Sequence, residues 1–119
     1  MFIIDQSETL TFDIRALNCY YIYIYIGDGQ NFMMLHESKT MPKKELDVNT
    51  DVNLGIYSDL GAAKNIMRVL MSYIGTGANN IVVLPKDDPA AIKSWHNKMI
   101  SFFHQKKELY GFVPDIIES

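Results

Sequence analysis

The run Tyr20-Tyr21-Ile22-Tyr23-Ile24-Tyr25-Ile26-Gly27-Asp28-Gly29 constrains the fold of this chain more than any other stretch. Successive β-branched and aromatic residues favour extended backbone, because such side chains pack well on a pleated surface. Asp28-Gly29 then supplies the pair best suited to a two-residue type I′ turn, in which both central residues take positive φ. The spacing predicts a strand from Cys19 to Ile26 and an antiparallel return over Gln30 to Ser38. Pairing Gly27 with Gln30 sets Ile26 opposite Asn31, Ile24 opposite Met33, Ile22 opposite Leu35, Tyr21 opposite His36 and Cys19 opposite Ser38. One face then carries Tyr21, Tyr23, Tyr25, Phe32 and Met34, and the other Ile22, Ile24, Ile26, Met33 and Leu35. A sheet apolar on both sides needs cover on both, and left bare it would aggregate.

With 119 residues, 48% of them apolar and 21% charged, the chain fits one domain, residues 1–119, with an ordinary core. The net charge of −3, with signs interspersed, argues against a nucleic-acid footprint, which needs a basic patch. The single cysteine excludes an internal disulfide, so the fold needs no oxidising compartment and a cytoplasmic location is the simplest expectation. The opening Met1-Phe2-Ile3-Ile4-Asp5-Gln6-Ser7-Glu8 lacks the basic segment of a signal peptide. The apolar stretches fall well short of the roughly 20 residues of a membrane-spanning helix. No metal or cofactor motif is evident, so none is expected.

Along the rest of the chain, Phe2–Ile4 and the alternating Thr9–Ile14 suggest a second hairpin about a turn at Asp5–Glu8. Residues 40–47 read as a loop, and Leu54–Tyr57 as a short strand. Ser58 is the expected N-cap of a helix from Asp59 to about Ile74. Leu60, Ala63, Met67, Leu70, Met71 and Ile74 form its apolar stripe, widened by Ile66, Val69 and Tyr73. Gly75-Thr76-Gly77 ends it. Ile81–Leu84 reads as a continuous apolar strand, and Pro89 suits the first position of a second helix reaching about Lys107. In that helix Ile92, Trp95, Met99, Phe102 and Phe103 point inward. The segment from Leu109 to Ile117 is expected to add an edge strand or drape over the core. The order predicts an α/β (α+β) domain with a largely antiparallel or mixed sheet and two amphipathic helices. It is not the βαβ series of a dinucleotide fold.

Chemistry is suggested at one place. His36 falls diagonal to Cys19 on one face of the hairpin, where Cβ atoms lie roughly 7–8 Å apart. An imidazole beside a thiol can take its proton and return one to a leaving group. A one-residue register slip would send His36 to the opposite face. Cys19 follows a bend at Arg15-Ala16-Leu17-Asn18, so its N–H could meet a developing oxyanion, with Asn18 a further donor. Asp13 could orient the imidazole, or simply pair with Arg15. A free cysteine is also often only a buried packing residue.

In this arrangement the chain resembles the chemoreceptor glutamine deamidases of bacterial chemotaxis and, more distantly, the deamidating domain of cytotoxic necrotising factor toxins. The resemblance rests on the spacing of Cys19 and His36, the run Phe32-Met33-Met34-Leu35, and the order Tyr57, Ala62-Ala63, Met67, Met71, Gly77-Ala78 and Ile81–Leu84. It covers roughly residues 9–105. It implies that Cys19 attacks the side-chain amide of a protein glutamine. His36 protonates the departing ammonia, water releases glutamate, and no cofactor takes part. Aligned on the apolar run itself, Asn31 occupies the histidine position. Asp13, or less well Thr11, stands near the family's orienting threonine.

The other candidates have plainer readings. His96 suits a helix face, His104 a helix C-terminus, and Gly75-Thr76-Gly77 follows a helix and so does not cradle phosphate. The tyrosines at 21, 23 and 25 could stack bases or a peptide, but net acidity favours core or interface duty. Two functions emerge: a cysteine hydrolase acting on a protein partner, and a non-catalytic protein-interaction module, dimeric if a tyrosine or methionine patch is exposed.

Overall fold

A computed structural model describes residues 1–16, 20–37, 46–76, 80–101 and 116–118. The elements follow in the order β1 (Phe2–Ile4), β2 (Thr11–Asp13), a 3-10 turn (Ile14–Ala16), β3 (Tyr20–Gly27) and β4 (Gln30–Glu37). After these come β5 (Val52–Tyr57), α1 (Leu60–Gly75), β6 (Ile81–Val83), α2 (Pro89–Ile100) and β7 (Ile116–Glu118). The architecture is the expected α+β class. A four-stranded sheet runs β5-β4-β3-β7 and a three-stranded one β2-β1-β6. Both are mixed, since β7 joins β3 and β6 joins β1 in parallel while the remaining pairs are antiparallel.

The β3–β4 hairpin has the register that its turn dictates, from Gly27 opposite Gln30 to Tyr21 opposite His36 and Tyr20 opposite Glu37. Asp28 and Gly29 both have positive φ, 53° and 74°, as a type I′ turn requires. The isoleucine face, with Ile22, Ile24, Met33 and Leu35, lies in the main core with α1 residues Ile66, Met67 and Leu70. The tyrosine face is covered at its centre, where Tyr23 and Met34 are buried, while Tyr21, Tyr25 and Phe32 are half-buried. Tyr23 is therefore no stacking platform.

Between Met33 and Met34 of β4 the register of β5 shifts: Met33 faces Gly55, Met34 faces Asn53, and Leu54 is the extra residue of a bulge. Val52 opposite Leu35 and Tyr57 opposite Asn31 are five residues apart, an odd number. In a regular strand they would point to opposite faces; the bulge lets both join the core, along with Leu54. Gly55 lies close to its neighbours here: a Cβ would come within 3.1 Å of the Tyr57 ring and 3.2 Å of Gln6 Cβ, so a larger residue would have to displace them by a few tenths of an ångström. Gln6 occupies the outer edge of β5. Its backbone N–H donates to Leu54 O at 2.8 Å, its side-chain Nε2 donates to Ile56 O, and its Oε1 accepts from Ile56 N, both at 2.9 Å. One glutamine thus ties the two sheets together.

The helices depart from expectation in detail. The N-cap of α1 is Asp59, whose carboxylate accepts from Ala62 N at 2.9 Å, and Ser58 binds Asp87 instead. Either residue type can cap, but only Asp59 stands one position before the first helical residue. The buried side of α1 is centred on Ala63, Ile66, Met67, Val69, Leu70 and Tyr73, while Leu60, Met71 and Ile74 are only partly covered. Asp88 caps α2, with Pro89 at its first turn. Phe102, Phe103, Lys107 and the start of the expected edge strand lie outside the described residues. Ile116–Glu118 does form a strand at the sheet edge. β6 is not buried on both faces as a continuous apolar run suggests: Val82 is buried, while Ile81 and Val83 are exposed. Among the described residues no helix is long and apolar enough to cross a membrane.

Candidate functional site

His36 is near the end of β4 on the tyrosine face, and the rung after Leu35–Val52 brings Asp51 beside it. The tight turn preceding β5 makes this possible. Asp47 O accepts from Thr50 N and Asp51 N, and Asp47 Oδ1 from Asn49 N, closing the turn that leads into Val52. The Asp51 carboxylate then meets three groups: His36 Nδ1 at 2.7 Å through Oδ1, and Tyr23 OH at 2.5 Å and Asp47 N at 3.2 Å through Oδ2. Its side chain is only 5% exposed and that of His36 11%. A buried carboxylate is tolerated when its lone pairs are filled by donors in this way.

Because the carboxylate accepts on both oxygens, the His36 proton sits on Nδ1. That fixes the ring orientation and leaves Nε2 as the second nitrogen, buried and without a hydrogen-bond partner among the described residues. Burial, then the hydrogen bond and negative charge of Asp51, and then Asp47 hold the Tyr23 hydroxyl far above the usual phenol range. Tyr23 is a permanent donor. A recess of about 320 Å³, lined by residues including Phe12, Leu35, His36, Asp51 and Val52, opens at this cluster.

The carboxylate that orients His36 is thus Asp51, not Asp13. Asp13 lies in β2, where its Oδ1 accepts from Arg15 N at 3.1 Å and pairs with Arg15 Nε at 3.5 Å and the N-terminus at 3.9 Å. Thr11 is exposed on the same short strand. Asn31 is buried on the opposite face from His36, an odd five residues away, and donates through Nδ2 to Tyr57 O at 2.9 Å. That bond makes it a structural amide. Cys19 and Asn18 lie outside the described residues, as does His104. His96 is half-buried on α2, in a shallow recess against α1 that also includes Asp59, Ile66 and Ile92.

Asp51 went unrecognised in the sequence because its contact depends on the β4–β5 register. The near-repeat Asp47-Val48-Asn49 and Asp51-Val52-Asn53 was the available signal. Among the described residues, no three His, Cys, Asp or Glu side chains are arranged to hold a metal.

The second candidate surface is the outer face of the small sheet. Phe2 stands beside Ile81 and Ile4 beside Val83. Ile81 is 66% exposed, Val83 39% and Phe2 38%. These side chains form a contiguous apolar patch at the β6 edge. Compared with family models, curated proteins and solved structures, the chain matches none.

Proposed function

We propose that this chain is a non-catalytic protein-interaction module. The observation that carries the reading is the apolar patch on the small sheet, where Phe2, Ile81 and Val83 are exposed and Ile4 beside Val83 is half-buried. Clustered exposed apolar residues mark interaction surfaces, whereas scattered ones do not. The polar cluster fits this reading, since Asp51, Tyr23 and His36 spend their hydrogen bonds on pinning the β5 turn to the hairpin. In a module of this kind Cys19 is a packing residue with an ordinary thiol.

A second reading, a cysteine hydrolase deamidating a glutamine of a protein partner, is favoured by one specific feature. His36 has Nδ1 held by Asp51 and an Nε2 without a partner among the described residues, the arrangement a general base requires. Alkylation of Cys19 by iodoacetamide at neutral pH separates the two readings, because it is the chain's only thiol. The module reading expects slow modification. Rapid modification, the mark of a lowered thiol pKa, together with ammonia release that Cys19→Ala abolishes, would establish the hydrolase instead.

A further inference from the structure

Among the described residues the outward edge of β6 is open. In its parallel ladder with β1, Phe2 N donates to Asn80 O at 3.0 Å and Leu84 N to Ile4 O at 2.9 Å. The alternation of a parallel ladder therefore turns the backbone groups of Asn80, Val82 and Leu84 toward β1, and those of Ile81 and Val83 away from it. No strand among the described residues takes up that second set. Beside the edge runs a groove of about 510 Å³, formed by residues 80–83, Tyr73 of α1, and Trp95, Lys98 and Met99 of α2. Trp95 is buried and its indole N–H has no acceptor among the described residues.

Resting on the interaction reading above, we propose that this groove takes an extended peptide segment of a protein partner, which adds as a strand to β6. The free N–H and C=O groups of Ile81 and Val83 supply the backbone bonds of strand addition. Alternate side chains of the guest point in the direction of Val82, toward Trp95 and Met99, and must be apolar. Lys98 is exposed at the groove and has no ion-pair partner among the described residues, so the guest carries a carboxylate near it. This charge separates a partner from a second copy of the chain: residues 80–84, Asn-Ile-Val-Val-Leu, would bring no acid to Lys98. An edge strand this short gives a contact of roughly 10 Å, suited to a short linear motif.

The test uses a capped heptapeptide with valine at its first three groove-facing alternate positions, glutamate at the last of them to meet Lys98 and threonine in between, followed by the fluorescence of Trp95, the chain's single tryptophan. A saturable change in emission is expected. Val83→Pro removes an edge-facing N–H without touching a β1 bond, and should weaken binding at least tenfold while leaving the melting temperature within a few degrees. Lys98→Glu, an exposed substitution that leaves β6 intact, should weaken it about fivefold. A peptide N-methylated at alternate residues should not bind. No saturable change, or equal binding of the N-methylated peptide, overturns the proposal. So does a concentration-dependent dimer of the free chain that Val83→Pro dissolves, which would make a second copy the occupant. Failure of the peptide with a slowly alkylated Cys19 removes strand docking alone. Rapid alkylation with Cys19-dependent ammonia release removes the interaction reading itself, whatever Trp95 reports.

Discussion

Ile24 and Ile81 are the same residue type in the middle and at the edge of two sheets, yet Ile24 is fully buried and Ile81 is 66% exposed. Around Ile24, two strands of eight residues pair along their whole length, with α1 on one face and Tyr23 and Met34 buried on the other. Around Ile81, three strands of three residues shelter only the inner row, Ile3 and Val82. The larger sheet uses its apolar residues to stabilise the fold. The smaller one leaves part of its apolar surface exposed and, among the described residues, one backbone edge unpaired. Residue type alone does not distinguish these uses; what is laid over the strand does.

The contrast is broken most directly in the core. Leu70→Ala, under the large sheet, should cost about 2–5 kcal/mol in urea unfolding, the range for cavity formation at a buried leucine. A loss below about 1 kcal/mol would mean that α1 is not the main cover. Next comes Asp51→Ala, which strips the acceptor from both Tyr23 and His36 and should cost about 2–3 kcal/mol. Tyr23→Phe removes only one of those bonds and should cost about 1 kcal/mol. Equal losses for the two variants would show that the bonds from His36 and Asp47 N to Asp51 contribute nothing.

In the small sheet the sharpest handle is Asp5, at the β1–β2 turn. Burial would raise its pKa, but donors at Ser7 Oγ, Leu10 N and Thr9 N outweigh that and hold it below the ordinary 3.8. A carboxyl depressed in the folded state contributes stability that is present above about pH 4 and lost as pH falls through its folded value. Denaturation midpoints measured between pH 6 and pH 2.5 should therefore fall less steeply in Asp5→Asn than in the parent chain. Parallel curves would sink this assignment. The smallest effect is expected at the surface: Ile81→Thr should change stability by no more than about 0.5 kcal/mol. A larger loss would mean that Ile81 has a packing role within the chain.

Much of the fold was legible because its signals are local. Asp28-Gly29 can occupy two successive positive-φ positions, so the turn fixes the hairpin register without help from elsewhere. Pro89 and the Gly75-Thr76 stop place helix ends within a residue or two. The His36 environment was only half legible. Its opposition to Tyr21 follows from the turn, whereas its carboxylate comes from Asp51 through a strand whose register depends on a bulge at Leu54. Asp13 looked suitable by sequence proximity to Cys19, but a β2 residue that binds Arg15 is already engaged.

The sequence by itself determined the α+β order, the β3–β4 register and the two-sided apolar character of that hairpin, because turn chemistry and side-chain alternation act over a few residues. Only the tertiary structure decided that Asp51 orients His36, that Gln6 joins the two sheets, and that Ile81 and Val83 stay in water. Each of those outcomes depends on which distant segment lies alongside, and a period-two pattern does not specify its neighbour.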